Sequence, residues 1–379
     1  MPAIESRRAR LNSLVAAQAA AAAATPHQIT TLEAWNLKEP GTTRAWSLLR
    51  LATKEGLEGW GESAPLTRGE VEQLRALALH TPASAYESLR LKLSTRPGAA
   101  AVNIAALDIL GKAAKAPVYQ LLGGPTRNSV RAFTALHGAN DDAIAKDMER
   151  CRAAGFKAFA VPVPAPPFRN SGKAYVNAAK ARLETLLKMA SPDHDFIVQG
   201  LGRLTPGDAA SLADAFEHVH LMWFDEPCST SSIGALRKIA EENVTPLGFG
   251  QNVTDPAHFQ NLLRDDAIDI IRPEIAIHGI TGIRKIAALA ETYYTAVAPR
   301  HNQGPVNTAA AFHLAASLPN FFIQHIPCPE PAAAREMRAA ITGTSVESVR
   351  DGFAALSNTP GLGVSVNRQA LSRFAEVIA

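Results

Sequence analysis

From Val130 onward the chain repeats one unit: a short apolar run, a polar joint, an amphipathic stretch, then the next apolar run. The runs are VRAFTAL, FKAFAVPV, DFIV, LMWF, TPLGF, AIDIIR, YTAVAP and NFFIQ. Helical spacing fills the intervals at 141–154, 174–189, 206–217, 233–241, 256–264, 280–291 and 309–316. Apolar strands separated by helices pair in parallel, because a parallel partner is reached only through a crossover. Eight such strands with seven helices between them predict a (β/α) barrel. The competing architecture is an open doubly wound sheet. It usually carries a glycine-rich phosphate loop after its first strand, and no G-x-G-x-x-G or P-loop pattern is present.

Three of these runs end in a single polar residue: Gln199 after FIV, Glu226 after WFD and Gln251 after LGFG, at intervals of 27 and 25 residues. Each interval is about one strand–helix–strand unit. Polar residues at the C-terminal ends of successive barrel strands face one shared site.

Ahead of the barrel, ITTLEAWNL and AWSLLRLATKEGLEGWGES read as an antiparallel meander with a turn at Lys54-Glu55-Gly56. Helical spacing follows over 70–90 and 100–122, and Gly123-Gly124-Pro125 stops it. The pattern divides the chain into a tail over 1–27, an α+β unit over 28–128, the barrel over 129–330, and a segment over 331–379 that returns to the α+β unit. The tail holds Arg7–Arg8 before an Ala-rich stretch over 14–24. It reads either as a twin-arginine-like export signal or as an Ala-rich helix or tail of a cytoplasmic protein. A net charge of +3 without a Lys/Arg run gives no nucleic-acid footprint, and no apolar stretch reaches the ~18 residues of a membrane span. Cys151, Cys228 and Cys328 show no CxxC or metal spacing and read as packed small hydrophobes.

Several stretches, taken in order, resemble the mandelate racemase/muconate-lactonizing branch of the enolase superfamily. They are TKEGLEGWGES, ALDILGKAAKAPVYQLLGG, GFKAF, WFDEP, DIIRPEIAIHGITGIRKIAALAE and DGFAALSNTPGLGV. The resemblance spans about residues 29–374. It implies an α/β protein: a (β/α)7β TIM-like barrel under an N-terminal α+β capping domain completed by the C-terminal segment. It also implies a homo-oligomer and a lyase (dehydratase) or isomerase (racemase) chemistry, in which Mg²⁺ holds a substrate carboxylate while a base removes the α-proton. Loss of that proton puts a second negative charge beside the carboxylate, so a cation and nearby donors must stabilise the enediolate.

The family's metal carboxylates fall on Gln199, Glu226 and Gln251, so one of three keeps its charge. Its Lys-x-Lys base pair falls on Ala160-Val161-Pro162. The carboxylate supporting the opposite base falls on Glu274, and that base falls on Arg300, or on His301 if the loop slips by one residue. The eighth-strand acid falls on His325. Two uncharged ligands predict no tight Mg²⁺ site, with the glutamine amides donating to Glu226 in the ion's place; weak Mg²⁺ ligation through their oxygens is the alternative. Arg300 stays protonated, so it pairs with Glu274 or grips a ligand carboxylate. His301 and His325 are the remaining candidate acid/base groups, and His278 and Arg203 are further candidate pocket residues. The prolines of VPVPAPPFRN predict a stiff loop at the pocket. Two functions stay open: a fold that binds a small carboxylate or sugar acid without Mg²⁺-assisted chemistry, and a divergent acid-sugar dehydratase or racemase working through His301 or His325.

Overall fold

A computed structural model describes residues 26–94, 96–343 and 346–378. The arginine pair and the Ala-rich stretch lie outside the described residues. β1 (Ile29–Lys38), β2 (Ala45–Thr53) and β3 (Glu58–Ser63) form the expected antiparallel meander, turned at Gly56, whose φ is 82°. The helix Ala99–Ala113 lies directly on β3. It can do so because β3 presents glycines: a Cβ at Gly59 would sit 2.0 Å from the Ala105 carbonyl oxygen, and one at Gly61 2.1 Å from that of Ala101. The helical stretch expected over 70–90 is broken into Arg68–Ala78 and Tyr86–Lys92, because His80 takes a φ of 62° and Pro82 follows. The next one stops at Ala113 and resumes at Val118–Leu121, after Lys115 at φ 53° and Pro117.

The barrel strands are β4 (Ser129–Ala135), β5 (Ala158–Pro162), β6 (Asp195–Gln199), β7 (Trp223–Asp225), β8 (Leu247–Phe249), β9 (Ile270–Ile271), β10 (Ala296–Val297) and β11 (Gln324–His325). β4 to β10 pair in parallel in sequence order. β11 pairs with β4, and a parallel bridge from Val297 to Phe321 closes the ring. Inside, Phe133, Ala160, Ile197, Trp223, Ile270 and Ile323 make an apolar core. Trp223 fits because its ring packs against Gly248 of the neighbouring strand β8, where a Cβ would lie 2.4 Å from the indole.

The final segment divides instead of returning whole to the cap. β12 (Val349–Arg350) and β13 (Phe353–Ala355) form a hairpin that adds antiparallel to barrel strand β4, while β14 (Ala375–Val377) pairs with β1 of the cap. Between them, buried Asp108 accepts from the backbone N–H of Leu362 at 2.8 Å and of Trp60 at 3.0 Å, tying the segment to the cap.

Cap and barrel interlock at Glu62, which is fully buried. Its carboxylate accepts from the N–H groups of Val306 and Asn307 at the start of the helix Pro305–Ala315. Burial nevertheless pushes its pKa up to about 7 from 4.5. Between those values the folded chain binds more protons than the unfolded one. Its contribution to stability is therefore greatest in acid and falls as pH rises to about 7. The Glu62→Gln variant is expected to lose this part of the pH dependence, on the order of 3 kcal/mol. Urea unfolding of both proteins across that window checks it; parallel curves refute it.

Candidate active site

The strand ends meet under a cap loop. A cavity of about 380 Å³ opens at the C-terminal mouth of the barrel. Thr42, Thr43 and Arg44 of the β1–β2 loop close one side. Gln199, Gln251, Arg272, Arg300 and His325 line the barrel side, and Pro329, Glu330 and Pro331 line the loop after β11.

Gln199 and Gln251 reach the cavity wall, but Glu226 does not. The backbone turns sharply at Glu226, with a φ of 44°, a left-handed conformation that is uncommon for a side-chain-bearing residue. Its buried carboxylate is drawn onto the next strand end, accepting from the N–H groups of Gly250 at 2.6 Å and Gln251 at 2.9 Å. The amide donors expected from the Gln199 and Gln251 side chains are thus replaced by backbone donors, since a buried carboxylate is satisfied most cheaply by N–H groups already fixed in a turn. Burial, and then the neighbouring Asp225 charge, push the Glu226 pKa up to about 7. Donors for a cation at these strand ends are therefore one carboxyl group and two carboxamide oxygens. Among the described residues no three His, Cys, Asp or Glu side chains gather where they could hold a metal ion.

Opposite them lies the loop after β10, from which Arg300 and not His301 lines the cavity. Arg300 faces the cavity and donates through Nη1 to Glu274 at 2.7 Å. Glu274 also caps the helix Ile275–Glu291 through the Ala276 N–H, and burial raises its pKa despite the arginine. Arg300 makes no other side-chain hydrogen bond among the described residues, so the rest of its donor fork is available. His301 is fully buried and does not line the cavity; its Nε2 lies 3.2 Å from the Thr308 hydroxyl. His325 does line it. Its Nδ1 lies 2.8 Å from the His301 carbonyl oxygen, which assigns the proton to Nδ1. Nε2 is then a lone-pair acceptor without a partner among the described residues. Burial, then the His301 and Arg300 charges, hold this imidazole well below its ordinary pKa, so it is neutral.

Three expected pocket features lie elsewhere. His278 falls inside the helix after β9, where its Nε2 meets the Val253 carbonyl oxygen at 2.8 Å and its ring packs on Phe259. Arg203 is exposed outside the cavity lining. No residue of 161–170 reaches the cavity. Asp208 holds the end of that loop outward through the N–H groups of Asn170 and Ser171.

Two important arginines escaped the sequence reading. Arg272 is buried in the cavity floor, ion-paired with Asp225 and packed 5.3 Å from the ring centres of both Phe133 and Trp223. Its signal was a pair of opposite charges closing two apolar runs, WFD and DIIR. Arg44 comes from the cap, and Glu39 of the cap at 3.3 Å and Asn302 of the barrel at 2.9 Å position it. A loop arginine 258 residues from its partner carries no local signal.

Comparison with known proteins agrees with this architecture. Residues 143–370 match the enolase C-terminal domain-like family, and residues 20–123 match the N-terminal domain of mandelate racemase / muconate lactonizing enzyme. The chain belongs to the mandelate racemase/muconate-lactonizing family of the enolase superfamily. Within that family it is similar to a D-galactonate dehydratase family member of Streptomyces bingchenggensis, 28% identical over 92% of this chain and 94% of the relative. It is equally similar, at 28%, to the D-galactonate dehydratase of Xanthomonas campestris pv. campestris, covering 87% of this chain and 91% of that one. Among solved structures, a mandelate racemase/muconate lactonizing enzyme from Sulfitobacter sp. superposes with a TM-score of 0.81 at 27% identity, covering 92% of this chain and 95% of that one. A family member from Roseovarius sp. TM1035 gives 0.80 at 28%, covering 91% and 94%.

Proposed function

We propose that the cavity binds a small carboxylate or sugar acid through arginine and amide donors, and that it does not perform Mg²⁺-assisted abstraction of an α-proton. The observation that carries this reading is the retreat of Glu226. The one anionic ligand position is bonded to backbone N–H groups behind two uncharged carboxamides that face the ligand space. Mg²⁺ needs hard, preferably anionic oxygens in octahedral array, and this donor set does not fit it. The remaining fork of Arg300 offers a carboxylate charge-assisted hydrogen bonds without a metal. Gln199, Gln251 and Asn302 add polar groups for hydroxyls.

Calorimetric titration of the full chain with aldonates, D-galactonate among them, and with short hydroxy acids tests this. Binding is expected with EDTA present and unchanged by Mg²⁺. Arg300→Met is expected to weaken it by about tenfold or more, since a hydrogen bond to a charged group contributes about 1.5–3 kcal/mol. Binding that requires Mg²⁺, or stoichiometric Mg²⁺ at Glu226, overturns the proposal.

One observation favours a second reading, a divergent acid-sugar dehydratase. His325 lines the cavity and is neutral, with a buried Nε2 that has no partner among the described residues, which is the protonation state of a general base. Curated relatives named D-galactonate dehydratase support the substrate class. Turnover of an aldonate to its keto acid that His325→Asn abolishes would establish this reading over simple binding. Absence of product across the same panel would remove it.

A further inference from the structure

Behind the barrel wall, away from the cavity just described, two of the three cysteines come together. Cys151 lies on the inner face of the helix Asp141–Ala153 and is fully buried. Cys328 follows β11 by three residues and is almost fully buried. One guanidinium serves both thiols: Arg150 Nη1 lies 3.1 Å from the Cys328 sulfur, and Nη2 lies 3.3 Å from that of Cys151. Arg150 is itself fixed, donating through Nε and Nη2 to Asp147 and through Nη2 to the Cys328 carbonyl at 2.7 Å. Packed small hydrophobes need no cation at their sulfur atoms, and Cys228, buried elsewhere, has none among the described residues.

Of the two, only Cys328 lines a cavity, while Cys151 is fully enclosed. Cys151 and Arg150 lower the Cys328 pKa against burial, and Cys328 and burial raise that of Cys151. This is the polarity of a nucleophile and its resolving partner. Access exists as well. A separate cavity of about 340 Å³ is lined by Cys328 together with Phe156, Arg335, Arg338 and Glu347. Arg335, Arg338 and Glu347 put polar groups for a small hydrophilic oxidant into an otherwise mainly apolar wall.

We propose that Cys151 and Cys328 form a peroxide-reactive dithiol site, in which Cys328 attacks a small hydroperoxide and Cys151 resolves the product into a disulfide. In the first step the Cys328 thiolate attacks one oxygen of hydrogen peroxide. An S–O bond forms, the O–O bond breaks, and the departing hydroxide takes up the proton that the Cys328 thiol released on ionising and leaves as water, with Cys328 now a sulfenic acid. In the second step the Cys151 sulfur attacks the Cys328 sulfur. The S–S bond forms, the S–O bond breaks, and the hydroxyl leaves as water with the Cys151 proton. Both sulfurs are oxidised by one electron each, and one peroxide is reduced to two waters. The product cross-links the first barrel helix to the end of the eighth strand. The segment from Cys328 runs directly into Pro329, which lines both cavities.

Exposure of the full-length protein to hydrogen peroxide, followed by non-reducing peptide mapping, tests this. The Cys151 and Cys328 peptides are expected joined, with two hydrogens lost, and Cys228 still a free thiol. In the unoxidised protein, iodoacetamide near neutral pH is expected to label Cys328 at least about tenfold faster than Cys228. In Cys151→Ser, dimedone is expected to trap Cys328 as its sulfenic-acid adduct in place of the cross-link. Equal labelling of Cys328 and Cys228, or peroxide oxidation of Cys328 in the wild type without a link to Cys151, overturns the proposal. Both of those readings are made on the unsubstituted chain, so misfolding of a variant cannot obscure them.

Discussion

The double variant Gln199→Asp/Gln251→Glu is expected to gain Mg²⁺ affinity by at least about a hundredfold over the natural chain. Each substitution places a carboxylate at a strand end that already opens on the cavity. At an effective dielectric near 20, a unit charge pair about 4 Å apart contributes roughly 4 kcal/mol before desolvation. Two such charges facing a divalent ion leave ample surplus over the ~2.7 kcal/mol that a hundredfold change requires. The bound ion would also hold Glu226 ionised, against the burial that now lifts its pKa to about 7. Mg²⁺ titration calorimetry of both proteins gives the answer, with Ca²⁺ as a control for size. Should the double variant bind no better than the natural chain, the strand ends do not converge as placed, or the left-handed turn at Glu226 keeps its carboxylate from reaching the ion.

Removing the charge from Asp225 is expected to be the most destabilising single change near the cavity. Asp225→Ala leaves the Arg272 guanidinium in the barrel floor, 1% exposed, without its ion-pair partner. It also strips the Trp223 indole N–H of its acceptor at 3.0 Å. Breaking a buried pair on one side costs about 3–5 kcal/mol, because the stranded charge cannot be resolvated. The companion variant Asp225→Leu/Arg272→Met removes both charges and is expected to recover most of that loss. Chemical denaturation of the three proteins measures the difference. A single variant within about 1 kcal/mol of wild type would show that water reaches Arg272 and that the floor is not dry.

The legibility of the site followed the range of the interactions that build it. Gln199, Glu226 and Gln251 could be placed from spacing because a strand end is a local property of an apolar run. The inference that the glutamine amides would donate to Glu226 failed on a backbone detail. A left-handed turn at Glu226 turns its carboxylate onto the Gly250 and Gln251 N–H groups. His301 and Arg300 are adjacent in sequence but face different environments, and only the parallel bridge from Glu274 to Arg300 decides which one meets the cavity. His278 was misplaced for a related reason. The strand before it is only Ile270–Ile271, so the helix starts early and carries the histidine away from the mouth.

Sequence alone determined the barrel, its strand order and the α+β unit before it, because alternating apolar runs and helical stripes are written residue by residue and parallel pairing follows from crossovers. It also determined that two of the three strand ends carry uncharged amides, Gln199 and Gln251, since that is a matter of residue type. Tertiary structure alone decided what those ends do: that Glu226 turns inward, that Arg44 of the cap reaches the mouth, that Arg272 lies over Phe133 and Trp223, and that Arg150 gathers Cys151 and Cys328. These pairings join residues far apart in the chain. Their geometry depends on how rigid elements pack, and no local pattern encodes that.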